Sequence, residues 1–265
     1  MISEEELETM SHQGQTALSS NTYNKIRDII LAIPEYKGLV EVYLQGSYAN
    51  DTNVFLESDV DIIVQYISND LEISTYLLFK NRIYEILKRE LGVTYVTTGN
   101  KAIRISKLGS RYVEADVITC LRGYTHSGSN ECIVFYNQSG TKIINYPKQH
   151  LKNGTTKHQN TNNLFKRTVR IFKNIRRRLV DDRKITDTLA PSYFIESIIY
   201  NVPNEKFVSS NQITVLNCMK WIVDNYTNEL QTQSGFHLLF GSTSTQWNRT
   251  DCLKYIQAAM EFFNR

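Results

Sequence analysis

The sequence predicts an α+β protein, in which an α/β lobe with a mixed, strongly twisted sheet precedes a mainly helical lobe. Short β-type runs alternate with amphipathic helical segments up to about residue 147, whereas the apolar segments after Pro147 all have helical periodicity. The chain has 265 residues, 41% of them hydrophobic, which suffices for one large domain or two closely packed lobes. We therefore predict an α/β core with N-terminal helices over residues 1–147 and a helical lobe over residues 148–265.

The first lobe is predicted to mix helices and strands. Residues 3–33 are predicted to be helical in two pieces. Strands are predicted over Leu39–Gln45 and Asp59–Tyr66, and an amphipathic helix over Ile73–Leu91. The β-type runs VTYV, AIRISKL, YVEADVITC and CIVFYN then continue the sheet to about Asn137.

The second lobe is predicted to consist of helices at four runs: FKRTVRIFKNIRRRL, PSYFIESIIYNV, QITVLNCMKWIVDNY and DCLKYIQAAMEFF. Seven basic residues and no acidic one occur from Lys166 to Arg178, within the first of these runs. Lys166, Arg170, Lys173 and Arg177 fall on one face of that helix, opposite an apolar stripe. This basic face suits a triphosphate or an oligonucleotide, and a plain solvated face is the alternative interpretation.

Composition and charge argue against several classes of protein. The 30 basic and 27 acidic residues leave a net charge of +3, which is too mild to indicate a nucleic-acid coat protein. The four cysteines lack CxxC spacing, which favours reduced, mostly buried thiols over disulfides. The N-terminus is acidic, unlike a secretory signal, and no apolar run approaches the ~20 residues that span a bilayer. We therefore expect a soluble, cytoplasmic protein without a membrane partner.

Two aspartates lie at the start of an apolar strand, where an uncompensated carboxylate is costly to bury. Residues two apart on a strand project from the same face, so Asp59 and Asp61 lie side by side. Asp116, in the run YVEADVITC, supplies a third carboxylate if its strand is adjacent. Oxygen ligands suit hard divalent ions, and three carboxylates suffice for two metals ~4 Å apart. We therefore predict that Asp59, Asp61 and Asp116 bind two Mg²⁺ ions, which Mn²⁺ can replace.

A Gly-Ser pair, Gly46-Ser47, follows the first predicted strand and precedes a predicted short helix. Glycine lets a phosphate approach the backbone, and the serine hydroxyl with nearby amides can bind phosphate oxygens. A Gly-Ser pair after a strand is usually only a turn, and a lone DxD is similarly unspecific. The two motifs become informative when they occur together in this order.

This order of motifs resembles the nucleotidyltransferase superfamily, whose pattern is hG[GS], then DxD, then a later lone Asp. The runs NYPKQH, FKRTVRIFKNIRRRL and APSYFIESIIY further resemble the bacterial cGAS/DncV-like nucleotidyltransferases, relatives of cyclic GMP-AMP synthase and oligoadenylate synthase. The resemblance extends from about Leu39 to at least Asn201. It implies that Lys173, Ser192 and Tyr193 contact the donor triphosphate and the nucleotide, with the active site expected in a cleft between the lobes.

The chemistry of the residues leaves some of these roles open. Pro191 suits the first turn of a helix, which directs the free amides of that turn and Ser192 Oγ toward an anion. Tyr193 can stack on a base, although a tyrosine that fills the core is a common alternative. Asn160 to Asn163 offer side-chain amides to a base edge, and a polar cap and loop is the alternative interpretation.

The resemblance implies an enzyme that condenses nucleoside triphosphates (ATP, GTP, UTP or CTP) into a cyclic oligonucleotide, most simply a cyclic dinucleotide. It implies two-metal, in-line attack of a ribose hydroxyl on the donor α-phosphate, and a product that a separate effector protein reads in bacterial antiphage defence. The histidines and cysteines of the sequence never group at zinc-ligand spacing, so no DNA activator is expected. The alternatives are a nucleotidyltransferase that modifies a small molecule, a protein or an RNA end, and a nucleotide-binding module without turnover.

Overall fold

A computed structural model describes residues 1–14, 16–55, 59–67, 70–125, 127–243 and 246–265. The strands of these residues are β1 (Val40–Gln45), β2 (Val60–Tyr66), β3 (Val96–Thr98), β4 (Ile103–Ile105), β5 (Ala115–Tyr124), β6 (Glu131–Tyr136) and β7 (Lys142–Asn145). The helices are α1 (Glu4–Ser11), α2 (Ala17–Leu31), α3 (Gly46–Ala49), α4 (Ile73–Leu91), α5 (Pro147–Asn160), α6 (Phe165–Asp181), α7 (Ser192–Asn201), α8 (Asn211–Asn225) and α9 (Arg249–Phe263), with short 3₁₀ helices at Pro34–Tyr36 and Asn204–Lys206. Among these helices, none combines the length and the apolar character needed to cross a bilayer.

The chain forms two compact units. The helical unit comprises residues 1–14, 50–55 and 149–265, and the α/β unit comprises the described residues of 15–49 and 56–148. The division near residue 148 lies close to the predicted one, but α1 and residues 50–55 join the helical unit instead of the α/β core. Leu7 and Met10 of α1 are buried in the core of the helical unit, which explains where this short helix packs.

Seven strands of the described residues form the mixed sheet of the α/β unit. Their order is β1-β2-β5-β4-β3, with β6 beside β5 and β7 beside β6. β2 and β5 are parallel, and the other neighbouring pairs are antiparallel. Val60, Ile62 and Val64 of β2 are buried in a core with side chains of α2 and α4. Since side chains alternate along a strand, Asp61 projects from the opposite face of the sheet.

Helix α6 supplies the centre of the helical unit. Its Phe165 and Phe172 are almost fully buried and belong to one core with residues of α7, α8 and α9. The Tyr255 hydroxyl of α9 donates a hydrogen bond to the Phe172 carbonyl oxygen at 2.9 Å. Cys218 and Cys252 contribute to this core, and all four cysteines of the chain are buried free thiols, which confirms the prediction made from their spacing.

The strand β7 and the helix α5 were not predicted. α5 is mostly polar, and its buried residues are His150 and Gly154. A Cβ atom at Gly154 would lie 2.3 Å from Gln233 Nε2, so the helix packs closely at a position where it carries no side chain. Asn162 and Asn163 adopt positive φ angles in the turn after α5, as the loop interpretation of this segment expects.

We expect His158 to make stability depend on pH between about 4 and 6.5. Burial, with the charges of Lys166 and Arg170, lowers the pKa of His158 from 6.5 to about 4, although Asp51 opposes the shift. In that window the unfolded chain binds more protons than the folded chain, so stability falls as the pH falls. The free energy of unfolding of the wild type therefore falls between pH 7 and pH 4. In His158→Gln this fall should be smaller by on the order of 1–2 kcal/mol, after allowance for solvent screening.

Urea unfolding of the wild type and the variant at pH 7 and pH 4 measures this difference. His12→Gln is the control, because the His12 side chain is 70% exposed, and it should preserve the wild-type pH dependence. A His158→Gln protein with the same pH dependence as the wild type would contradict the prediction.

Candidate active site

Two of the predicted metal ligands lie at the same end of neighbouring strands. β2 and β5 are parallel, and Asp61 is in register with Asp116. Asp59 directly precedes β2 and is exposed. On the other side of β2, Gln45 is in register with Asp61. The Asp61 and Asp116 side chains therefore project from one face of adjacent strands, as the predicted metal site requires.

The surroundings of Asp116 disfavour its negative charge. Burial raises the pKa of Asp116 above its ordinary value, Arg104 opposes this shift, and the charges of Asp59 and Glu114 add to it. Arg104 lies opposite Asp116 on β4, with Nε 3.9 Å from Asp116 Oδ1. The Arg104 side chain is 68% exposed, so solvent screens its charge. A divalent cation beside these carboxylates would stabilise their ionised form more strongly than Arg104 does.

The donor chemistry of the three aspartates fits a hard divalent ion. They offer carboxylate oxygens, which Mg²⁺ and Mn²⁺ prefer, and neighbouring negative charges that repel one another. Within the part of the chain that the structure describes, no three His, Cys, Asp or Glu side chains lie close enough together to hold an ion as they stand. Asp59, Asp61 and Asp116 are the residues that would hold Mg²⁺, and the metal stays a prediction.

Gly46 lies against the Asp61 carboxylate. A Cβ atom at Gly46 would be 2.2 Å from Asp61 Oδ2, which is closer than real Cβ contacts come. The φ angle of Gly46 is +69°, in the left-handed region that favours glycine. Ser47 follows in α3 and is partly buried. Position 46 therefore requires glycine, because the carboxylate of Asp61 occupies the space that a side chain at this position would need.

The other predicted nucleotide contacts belong to the helical unit. Lys173 of α6 is buried, with 1% of its side chain exposed, and its Nζ lies 3.0 Å from Glu196 Oε1. Ser192 is the first residue of α7, and Pro191 occupies the N-cap position. The contacts of Lys173 and Ser192 with a triphosphate stay predictions.

Glu196 is a candidate site residue that the sequence prediction missed. Thr52 Oγ1 donates a hydrogen bond to Glu196 Oε1 at 2.6 Å, and His150 Nε2 lies 2.9 Å from Glu196 Oε2. Burial alone would raise the pKa of Glu196, but the Lys173 charge and the interactions with His150 and Thr52 outweigh it and hold the pKa well below its ordinary value. The signal was present in the run YFIESIIY, because a carboxylate within an apolar helix requires a countercharge.

Tyr193 is partly buried and packs against other rings. Its ring stacks on the His150 imidazole, with 5.1 Å between centroids and 24° between planes, and its centroid lies 5.6 Å from that of Trp247. Burial raises the pKa of Tyr193, against the effect of hydrogen bonds with Thr232 and Ser234. This packing agrees with the core-filling alternative, and stacking on a base stays a prediction.

The basic side chains of α6 contact groups of the helical unit, while Arg167 and Arg178 keep 35% and 38% of their side chains exposed. The pairs are Lys166 with Asp51, Arg167 with Glu8, Arg170 with the Ser11 and Asp51 carbonyls, Lys173 with Glu196, Arg176 with the Asp187 carbonyl, Arg177 with the Phe55 carbonyl, and Arg178 with Glu6. Most of these partners belong to α1 or to residues 50–55. The basic side chains therefore stabilise the packing of those two segments on α6.

Known proteins resemble this chain along its whole length. A family model for the cGAS/DncV-like nucleotidyltransferase C-terminal helical domain matches residues 152–264. Cyclic nucleotide synthase CdnE01 of Staphylococcus haemolyticus is 35% identical, with 99% of each chain covered. The chain belongs to the cGAS/DncV-like nucleotidyltransferase family. This membership confirms the family predicted from the motifs.

Solved structures of other cGAS/DncV-like nucleotidyltransferases have the same fold. The CdnE c-UMP-AMP synthase of Rhodothermus marinus, solved with Apcpp and Upnpp, matches with a TM-score of 0.89 at 31% identity, covering 100% of this chain and 97% of that chain. The CdnE cyclic dinucleotide synthase of Elizabethkingia meningoseptica, solved with GTP and Apcpp, matches with a TM-score of 0.89 at 33% identity, covering 100% of both chains. The predicted α+β nucleotidyltransferase fold is confirmed, and the protein is a nucleotidyltransferase.

Proposed function

We propose that this nucleotidyltransferase condenses nucleoside triphosphates into a cyclic oligonucleotide, most simply a cyclic dinucleotide. The observation that carries the proposal is the register of Asp61 with Asp116 beside Gly46, in a chain similar over its whole length to cyclic dinucleotide synthases. The nucleotides and analogues in the two solved relatives support nucleoside triphosphates as the substrate class.

We infer that the reaction takes place at the three aspartates of the α/β unit. Asp59, Asp61 and Asp116 would hold two Mg²⁺ ions, which when bound neutralise triphosphate charge and make an acceptor hydroxyl easier to deprotonate. An acceptor 2′ or 3′ hydroxyl attacks the donor α-phosphate in line, the bond between the α-phosphate and the pyrophosphate breaks, and pyrophosphate leaves. A second round on the linear product, with its own triphosphate as donor, closes the ring.

The remaining site residues bind and orient the nucleotides. Ser47, Lys173 and Ser192 bind the phosphate chain, and Tyr193 stacks on a base. Gly46 leaves room for the Asp61 carboxylate. Catalysis of phosphoryl transfer depends mainly on such alignment and charge compensation, so small displacements of these groups are costly. In the same proposal, a separate effector protein reads the cyclic product as a second messenger in bacterial antiphage defence.

Incubation of the protein with MgCl₂ or MnCl₂ and the four labelled nucleoside triphosphates, singly and in pairs, tests the proposal. We expect a small product that resists phosphatase, because a ring has no terminal phosphate to lose, and mass spectrometry would give its bases. The assay includes pairs of nucleoside triphosphates because one of the solved relatives is named for a product that contains both uridine and adenosine. EDTA is expected to abolish product formation, because the carboxylates would then lack their divalent ion.

The same assay separates the alternatives. Products that phosphatase digests would favour transfer of a nucleotide to a small molecule, a protein or an RNA end. No product under any condition would favour a nucleotide-binding module without turnover. Either result would contradict the cyclic product proposed here.

A further inference from the structure

Four side chains of the helical unit form one buried polar cluster. They come from four separate parts of the chain: Lys173 from α6, Glu196 from α7, His150 from α5, and Thr52 from residues 50–55. Counted as whole residues, backbone included, the four are 2%, 3%, 6% and 1% exposed, respectively. Lys173 and Thr52 contact Glu196 Oε1, at 3.0 Å and 2.6 Å, and His150 contacts Glu196 Oε2 at 2.9 Å. The cluster is therefore centred on a single carboxylate.

The carboxylate determines where the Lys173 ammonium lies. A buried ammonium is stable only beside a countercharge and hydrogen-bond acceptors, and Glu196 provides both. The lowered pKa of Glu196 means that this carboxylate stays ionised at neutral pH. Because His150 and Thr52 hold the two carboxylate oxygens, the carboxylate cannot rotate or follow a displaced lysine without breaking those contacts. Lys173 is thus pre-organised by groups that are themselves fixed.

Thr52 connects this cluster to the segment between the Gly-Ser motif and Asp59. Arg170 also holds that segment, because its Nη1 donates a hydrogen bond to the Asp51 carbonyl oxygen. The Glu196 cluster and Arg170 therefore both hold the segment of residues 50–55, through Thr52 and Asp51. A disturbance of Glu196 would act on the lysine and on residues 50–55 together.

We propose that Glu196 is a positioning residue for nucleotidyl transfer, which acts by holding the Lys173 ammonium where the phosphate chain of a nucleotide binds. Thr52 and His150 support it by holding the carboxylate. This inference rests on the proposed function, because it requires that Lys173 contacts the triphosphate. It predicts a defect in recognition of the phosphate chain that does not depend on the base.

Binding of inorganic tripolyphosphate in MgCl₂, measured by isothermal titration calorimetry, tests the inference without a choice of base. Glu196→Gln keeps the size of the side chain but removes its charge, and it should weaken tripolyphosphate binding about tenfold or more. Glu196→Asp keeps the charge on a shorter stem and should restore part of the affinity. Thr52→Val should weaken binding about threefold or more, and Thr52→Ser, which keeps the hydroxyl, should restore it.

Glu4→Gln is the matched control. The Glu4 carboxylate accepts hydrogen bonds from the backbone amides of Asn211 and Gln212, at 2.6 Å and 3.0 Å, in the same unit. Glu4→Gln removes a hydrogen-bonded carboxylate from the same unit, and it changes none of the four residues of the buried polar cluster. We expect a lower Tm with unchanged tripolyphosphate affinity, which separates a loss of stability from a loss of positioning.

The outcomes distinguish this inference from the proposed function. If Lys173→Met weakens tripolyphosphate binding while Glu196→Gln and Thr52→Val bind as the wild type does, Glu196 does not position the lysine. If the affinity of every variant follows its Tm, including that of Glu4→Gln, the cluster is only structural. If the wild type does not bind tripolyphosphate, or Lys173→Met binds it normally, the proposed role of Lys173 itself is wrong. Thr52 Oγ1 also lies 3.5 Å from Lys173 Nζ, so Glu196→Asp carries the test if Glu196→Gln fails to fold. Wild-type tripolyphosphate affinity in Glu196→Asp would then contradict the inference, because its shorter stem moves the carboxylate.

Discussion

Asp61→Asn is expected to lower product formation by at least about a hundredfold while leaving the fold intact. Asparagine has the shape of aspartate but lacks the charge that a divalent ion requires of its ligands. The substitution lies on the face of β2 opposite the core residues Ile62 and Val64, so the packing with α2 and α4 is undisturbed. Product formation is measured by chromatography of the labelled nucleotides, Mn²⁺ binding by electron paramagnetic resonance, and folding by circular dichroism.

Glu114→Gln is the control for Asp61→Asn. Glu114 is exposed, precedes Asp116 by two residues and contributes to the raised pKa of Asp116, but it is not a predicted metal ligand. Its replacement should change activity by no more than about threefold. An Asp61→Asn protein that forms product and binds Mn²⁺ at wild-type levels would show that the metal assignment is wrong.

Gly46→Ala is the second substitution for which we expect a large effect, with product formation reduced by about a hundredfold or more. The added Cβ would lie 2.2 Å from Asp61 Oδ2, so the carboxylate must move away from its position. The positive φ angle also disfavours alanine, by roughly 1–2 kcal/mol. Because the clash involves the end of a side chain, we expect the protein to fold with a lower Tm and a displaced Asp61. Thermal unfolding and the product assay measure the two effects.

Gly38→Ala separates backbone strain from displacement of the carboxylate. Gly38 also has a positive φ angle, +75°, but a Cβ atom there would meet nothing within 4 Å. We expect a similar loss of stability at both positions and a large loss of activity at Gly46 alone. If the two variants lose activity to the same extent, or Gly46→Ala retains full activity, contact between Gly46 and Asp61 has no role in the reaction.

The spacing of apolar residues predicted the elements that bury an apolar stripe. It failed for an element that buries few apolar side chains. The predicted helix Ile73–Leu91 coincides with α4, because Phe79, Ile83 and Leu87 recur at helical spacing and are buried in one core. α5 escaped prediction because its buried positions are a histidine and a glycine, neither of which contributes to an apolar pattern.

The candidate site was predictable only where its geometry is local. The alternation of side chains along a strand predicts a shared face for Asp59 and Asp61, and the motif order predicts Asp116 on another strand. The structure places Asp61 and Asp116 in register on neighbouring strands, whereas Asp59 directly precedes β2. The network of Glu196 was not predictable in the same way, because Thr52 lies 144 residues away in the chain. The partners of the basic side chains of α6 were unpredictable for a related reason, since several of them belong to α1, which is distant in sequence.

The discontinuity of the helical unit restricts how recombination can exchange parts between members of this family. A chimera that received only residues 149–265 from a relative would pair a foreign helical core with the native Leu7 and Met10. It would also pair foreign cations with the native acids that now contact Arg167 and Arg178. The C-terminal region therefore has to be inherited together with the first fourteen residues and residues 50–55, although these segments are far apart in the gene.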